Sequence, residues 1–152
     1  MSLNNVKKYF KEYNMEDKII ELTTSSATVE DAANSLGTTQ DEIAKTLSFI
    51  TPDPILIVVS GEARIDNKKF KEEFHTKAKM IPYEEVNDII GHSPGGVCPF
   101  AIKENVKVYL DVSLKKHEYV YPACGSGNSA IKLSIEELEK YSNYLKWIDV
   151  CK

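Results

Sequence analysis

The sequence predicts one α+β domain built around a mixed sheet. Its 152 residues suit a single domain with its own core. Helical and strand-like segments alternate irregularly along it, unlike a regular βαβ series. No repeat, linker or low-complexity stretch divides the chain, so the domain is expected to span residues 1–152.

Val6, Phe10 and Tyr13 fall on one helical face, which predicts an N-terminal helix over 4–14 within a leading segment 1–16. Ile19, Ile20 and Leu22 suggest a short strand. Thr28 offers a hydroxyl cap three residues before Asp31, and Val29, Ala32, Ala33 and Leu36 form a helical stripe closed by Gly37. Thr39 to Glu42 reads as a second capping box, leading a short helix towards Lys45. Leu47 to Ile50 and Ile55 to Val59 flank a Pro52-Asp53-Pro54 turn as a strand pair, the second strand apolar enough to be buried on both faces. Residues 66–75 and 82–89 read as helices with Asp66 and Pro82 near their starts. Strands follow at 106–110, 118–121 and 130–133, and Ser134 caps a closing helix and tail over 134–152.

The N-terminus has no signal-peptide pattern and no apolar run approaches the ~20 residues of a membrane span, so a cytoplasmic, membrane-free setting is expected. Cys98, Cys124 and Cys151 are odd in number and form no C-x-x-C pair, which argues for reduced thiols. A net charge of -4 excludes a generally nucleic-acid-binding molecule. A local basic face remains open: Lys68, Lys69, Lys71, Lys77 and Lys79 could supply one, or could simply be a solvated helix face. Arg64 is the sole arginine, so nucleic-acid contact would fall on phosphate rather than on base edges.

Gly91-His92-Ser93-Pro94-Gly95-Gly96-Val97-Cys98-Pro99 is the most informative stretch. Three glycines and two prolines define a shaped loop whose amides can approach a ligand carbonyl, or else a tight helix-to-strand connection. Gly91-x-Ser93-x-Gly95 mimics a serine-hydrolase elbow, but Pro94 lacks the N–H that elbow requires after its serine, and a helix rather than a strand leads in. His75, His92, His117 and the cysteines match no zinc spacing, so no metal and no cofactor is expected. Cys98 reads as a small buried residue, and Lys45 from position alone as a surface lysine. Tyr121 to Ser129 forms a second glycine-containing turn.

In their order and separation these segments resemble the YbaK / prolyl-tRNA synthetase-associated editing-domain family, from about Thr23 to about Leu138. The segments are Ser26 to Ala33 with Leu36-Gly37, Ile43 to Leu47, Gly91 to Phe100, and Tyr119 through Gly125 to Leu133-Ser134. The resemblance implies a mixed, barrel-like sheet around a small pocket, surrounded by short helices. It implies metal-free hydrolysis of the ester joining a wrong amino acid to a tRNA 3′ end, often a proline tRNA. Aminoacyl-tRNA would be the partner, with prolyl-tRNA synthetase as a further one. Lys45 matches the family's lysine and Gly91 to Gly95 its G-x-x-P-G loop. Gly125 to Gly127 match the family's later turn less closely, which leaves the amino acid open. On this footing Lys45 and the amides of Gly95, Gly96 and Val97 are the expected catalytic groups. Ser26, Thr28, Thr46, Gly91, His92, Ser93, Pro94, Gly125, Ser126 and Gly127 are the expected substrate contacts. The rival reading is a module that binds charged tRNA or a partner protein without hydrolysis.

Overall fold

In the computed structural model, which describes residues 2–152, the longest strand pair organises everything else. β2 (Ile43–Ile50) and β3 (Pro54–Ser60) run antiparallel over seven residue pairs, from Ala44–Ser60 to Ile50–Pro54. β3 is walled in on its other side by β4 (Lys107–Asp111), parallel to it, and β4 by β8 (Lys146–Ile148), also parallel. On the opposite flank β2 pairs in parallel with β5 (Tyr119–Pro122), which pairs antiparallel with β7 (Leu133–Ser134). The result is a curled, mixed six-stranded half-barrel in the order β7-β5-β2-β3-β4-β8. A small antiparallel pair, β1 (Ile19–Glu21) with β6 (Ser129–Ile131), continues the curl through a single Ala123–Ala130 bridge.

Side chains of β3 alternate between two apolar layers, as the two-residue strand period requires. Leu56 and Val58 pack with Val6 and Phe10 of α1 (Ser2–Lys11), Ile90 of α4 (Val86–Ile90) and Leu138 of α5 (Ile135–Ser142). Ile55, Ile57 and Val59 face the other way, against Phe70 of α3 (Asn67–Phe74) and Val150. The strand buried on both faces is therefore the one its unbroken apolar run predicts. Capping follows the sequence as well. Thr28 accepts from the Asp31 amide at the start of α2 (Val29–Leu36), and Gly37 ends it in the left-handed region at φ 70°. Ser134 and Glu137 form the reciprocal box that opens α5.

Two expectations change. The Thr39–Glu42 capping box is present, but it starts a single 3-10 turn and not a helix reaching Lys45. The strand begins directly at Ile43, because seven residues of ladder with β3 outweigh a weak local helix signal. Lys45 is thus the third residue of β2 and not a helix end. The tail after α5 is also structured: Ile148 and Val150 point into the second core layer and Lys146–Ile148 close the sheet edge.

Candidate functional site

The sheet opens at one place. β2 and β5 stay in register only at Ile43–Tyr121 and Ala44–Pro122, after which the chain beyond β5 turns away to bridge Ala130. Further along, the same edge of β2 is covered again: Ile81 N–H donates to Ser48 O at 3.1 Å and Ile50 N–H to Lys79 O at 3.0 Å. Since alternate strand residues address the same edge, the backbone of Thr46 faces the gap between these two coverings. A cavity of ≈ 90 Å³ lies there. Its wall combines Ser26, Ala27 and Thr28 before α2, Lys45 and Thr46 of β2, Pro94, Gly95 and Val97, and Tyr121.

Three loops are pinned together to make that wall. Ser26 N–H donates to Gly127 O at 2.7 Å, and Gly125 N–H to Gly96 O at 3.0 Å. Gly96 is buried so closely that a Cβ there would stand 2.3 Å from Gly125 C and Ser126 N, so only glycine permits the two loops to touch. A Cβ on Gly95 would meet Ala27 at a tolerable 3.2 Å. Pro94 to Gly96 form a 3-10 turn in which Gly96 N–H is spent on Ser93 O at 2.9 Å. Among the described residues, the amides of Gly95 and Val97 take no such backbone acceptor. Of the three loop amides expected to meet a carbonyl, these two are free to do so.

Lys45 is half-buried, and its Nζ donates to Ala63 O at 2.8 Å. Burial lowers the pKa of its ammonium, with nearby Arg64 lowering it further and Asp41 opposing. The turn that carries Ala63 is itself clamped. Glu62 N–H donates to Asp41 Oδ1 at 3.2 Å and Gly61 N–H to Asp41 O at 3.3 Å, while Lys116 Nζ and His117 Nε2 each lie 2.7 Å from Asp41 Oδ2. Burial alone would raise the Asp41 carboxyl. The hydrogen bonds from Lys116, His117 and the Glu62 amide outweigh burial and hold it at about 2, against 3.8 for a free side chain. A depressed carboxyl contributes stability above its unfolded pKa and loses it as pH falls through the folded value. Asp41→Asn is therefore expected to lower the free energy of unfolding measured in urea by an amount on the order of 1–2 kcal/mol above pH ~5, with the difference shrinking between pH ~4 and ~2. A difference that is constant over that range would contradict this account of the clamp.

Other expected contacts lie elsewhere. Gly91, Ser93, Gly125, Ser126 and Gly127 line a separate groove with residues 2–5 of α1, on the outer side of the loops. Thr28 reaches the cavity, but its hydroxyl is engaged as the α2 cap. Ser26 Oγ and Thr46 Oγ1 are buried without a hydrogen-bond partner among the described residues. His92 is fully buried: Nε2 donates to Phe100 O at 2.6 Å, and burial lowers the ring's pKa, so it acts as a neutral latch within its own loop. Cys98 lies behind the loop, 0% exposed, and burial pushes its thiol up to about 12. A thiol so rarely ionised is a poor nucleophile. Cys98→Ser is expected to retain kcat within about threefold, and a ~10³-fold loss with an intact fold would indicate covalent catalysis. Lys69 of the basic stretch is tied to Asp149 at 3.1 Å and to Cys151 O at 2.8 Å. Among the described residues no cluster of three or more His, Cys, Asp or Glu side chains gathers as a metal site.

Sequence reasoning missed Asp41, Ala63 and Tyr121. Ala63 acts through its carbonyl, which every residue possesses, so its identity carries no signal. Asp41 stood inside a recognised capping box, but its partners lie 21 and 76 positions away.

Comparison with known proteins agrees with this fold. Residues 23–141 match the family described as the aminoacyl-tRNA editing domain. The chain is 50% identical over 154 residues to the uncharacterized protein YwhH of Bacillus subtilis, covering all of this chain and 98% of that one. It is 30% identical over 109 residues to the proline–tRNA ligase of Shouchella clausii, covering 70% of this chain but only 19% of the ligase. Among solved structures, a candidate trans-editing enzyme for prolyl tRNA synthetase superposes with a TM-score of 0.87 at 25% identity, covering 99% and 97% of the two chains. The hypothetical protein APE2540 superposes with a TM-score of 0.85 at 25% identity, covering 97% and 99%. With its half-barrel, its loop-walled cavity and a family match over most of its length, this chain belongs to the aminoacyl-tRNA editing domain family.

Proposed function

We propose that this protein hydrolyses, in trans, the ester of a mischarged aminoacyl-tRNA of the proline-tRNA type, in the cytoplasm and without a metal. The observation that carries this reading is the cavity beside Lys45, closed by a loop with two uncommitted amides. At 10–15 Å³ per water-sized position, ≈ 90 Å³ holds roughly six to nine such positions. That suits a small aminoacyl group.

The Gly95 and Val97 amides receive the ester carbonyl oxygen and stabilise the oxyanion as water adds to the carbonyl carbon. The tetrahedral species then collapses. The bond to the terminal ribose oxygen breaks, that oxygen leaves with a proton, and the free amino acid and tRNA separate. No Asp, Glu or His lines the cavity, so the proton passes through water and the substrate's own neighbouring ribose hydroxyl. An aminoacyl ester is already activated, and alignment of water and carbonyl supplies most of what is needed. Lys45, a compact charge at the cavity mouth, holds the phosphate or ribose of the terminal nucleotide. The buried hydroxyls of Ser26 and Thr46 are assigned to the α-ammonium group.

A panel of labelled aminoacyl-tRNAs separates this reading from a binding module. Release of a small, non-cognate amino acid, persisting in excess chelator, is expected. Retention of charged tRNA without release, or release abolished by chelator and restored by zinc, would overturn it.

A further inference from the structure

Lys45 borders two hollows. Besides the small cavity, it lines a groove of ≈ 700 Å³ on the other side of Val29, and these two residues are common to both. The small cavity is the size of an acyl group. The groove is the size of a nucleotide, within the range of ordinary small-molecule sites. Its charged rim is lopsided: Lys45, Arg64 and Lys152 against Glu62. Arg64 and Lys152 are held side by side, since Lys152 N–H donates to Arg64 O at 3.0 Å next to the antiparallel Ile65–Cys151 bridge. Leu47 and Ile65 add apolar wall to the same groove. The Asp41 carboxylate is engaged elsewhere, with Lys116 Nζ and His117 Nε2 each 2.7 Å from its Oδ2.

We infer that this groove binds the 3′-terminal nucleotide of the tRNA, with Arg64 and Lys152 on its 5′-phosphate and the base against Leu47 and Ile65. The inference rests on the deacylase reading for its direction, and it adds the seat of the nucleotide. An ester joining an acyl group in the small cavity to a ribose in the groove must pass Lys45, which lines both hollows. Arg64 is the sole arginine in the chain, and its planar fork suits a phosphate at this place.

Two RNA hairpins carrying no amino acid test this without relying on catalysis: one with a complete single-stranded 3′ end, one shortened by its terminal nucleotide. Equilibrium binding of the wild type should be at least ~10-fold tighter for the complete hairpin. Arg64→Gln combined with Lys152→Gln should remove most of that preference and lower the log–log salt slope by about one to two contacts. Lys68→Gln, on the exposed face of α3, should leave the preference in place. Equal binding of the two hairpins by the wild type, or a preference untouched in the double variant, overturns the groove assignment. Because the RNA carries no aminoacyl group, failure of the deacylase reading would show separately, as binding of the complete hairpin without turnover of any aminoacyl-tRNA.

Discussion

Gly96→Ala is expected to lower both activity and stability, and by more than any other single methyl added to the loop. The new Cβ would lie 2.3 Å from Gly125 C and Ser126 N and 2.6 Å from Ser126 Cα. All three are backbone atoms, so no side chain can swing aside and the two loops must part. Overpacking of this kind costs about 1–3 kcal/mol. For a domain of this size that corresponds to a melting temperature lower by roughly 2–12 °C. Parting the loops also moves the Gly95 and Val97 amides, and loss of an oxyanion donor costs about 10²-fold in kcat. Gly95→Ala is the instructive contrast. Its Cβ meets only the Ala27 methyl at 3.2 Å, so it should disturb kcat with little change in melting. Thermal unfolding paired with single-turnover deacylation reads both effects. A Gly96→Ala protein unchanged in both would mean that the loop contact does not shape the site.

Lys45→Ala is expected to reduce kcat/KM by ~10²-fold or more, because it removes the charge that aligns the ester between cavity and groove. Lys45→Arg should not restore full activity. The Ala63 carbonyl accepts a single compact donor at 2.8 Å, and a planar fork there would redirect the remaining donors away from the cavity mouth. Neither change should move the free energy of unfolding by more than about 1 kcal/mol. The lost hydrogen bond is offset by relief of a half-buried ammonium. Full activity of Lys45→Ala on every substrate the wild type cleaves would return this residue to an ordinary strand lysine.

Much of the fold could be read from local chemistry, because its strongest signals are local. The Thr28 and Ser134 caps, the apolar run of β3 and the glycine at 37 each act within a few residues of themselves. The errors arose where distant pairing decides. Ile43 to Lys45 could have extended a helix from the Thr39 box, and only the ladder to β3 makes them strand. Trp147, Ile148 and Val150 form a run too short to declare itself, and acquire their role from β4 and the second core layer. The site divides along the same line. Loop glycines and Lys45 were visible as a pattern. Which glycine packs and which presents an amide depends on the Gly96–Gly125 contact across 29 positions. His92 looked like a ligand contact in a loop, yet the Phe100 carbonyl turns it inward.

Hydrolysis itself is tested most directly by a time course of amino-acid release from small, non-cognate aminoacyl-tRNA of the proline type, with protein at about one-hundredth of the substrate. The expected result is many turnovers per protein, yielding free amino acid and intact, rechargeable tRNA, at a rate reduced ~10²-fold in Lys45→Ala. Release that never exceeds one amino acid per protein, or that proceeds equally in wild type and Lys45→Ala, would contradict an editing deacylase centred on this cavity.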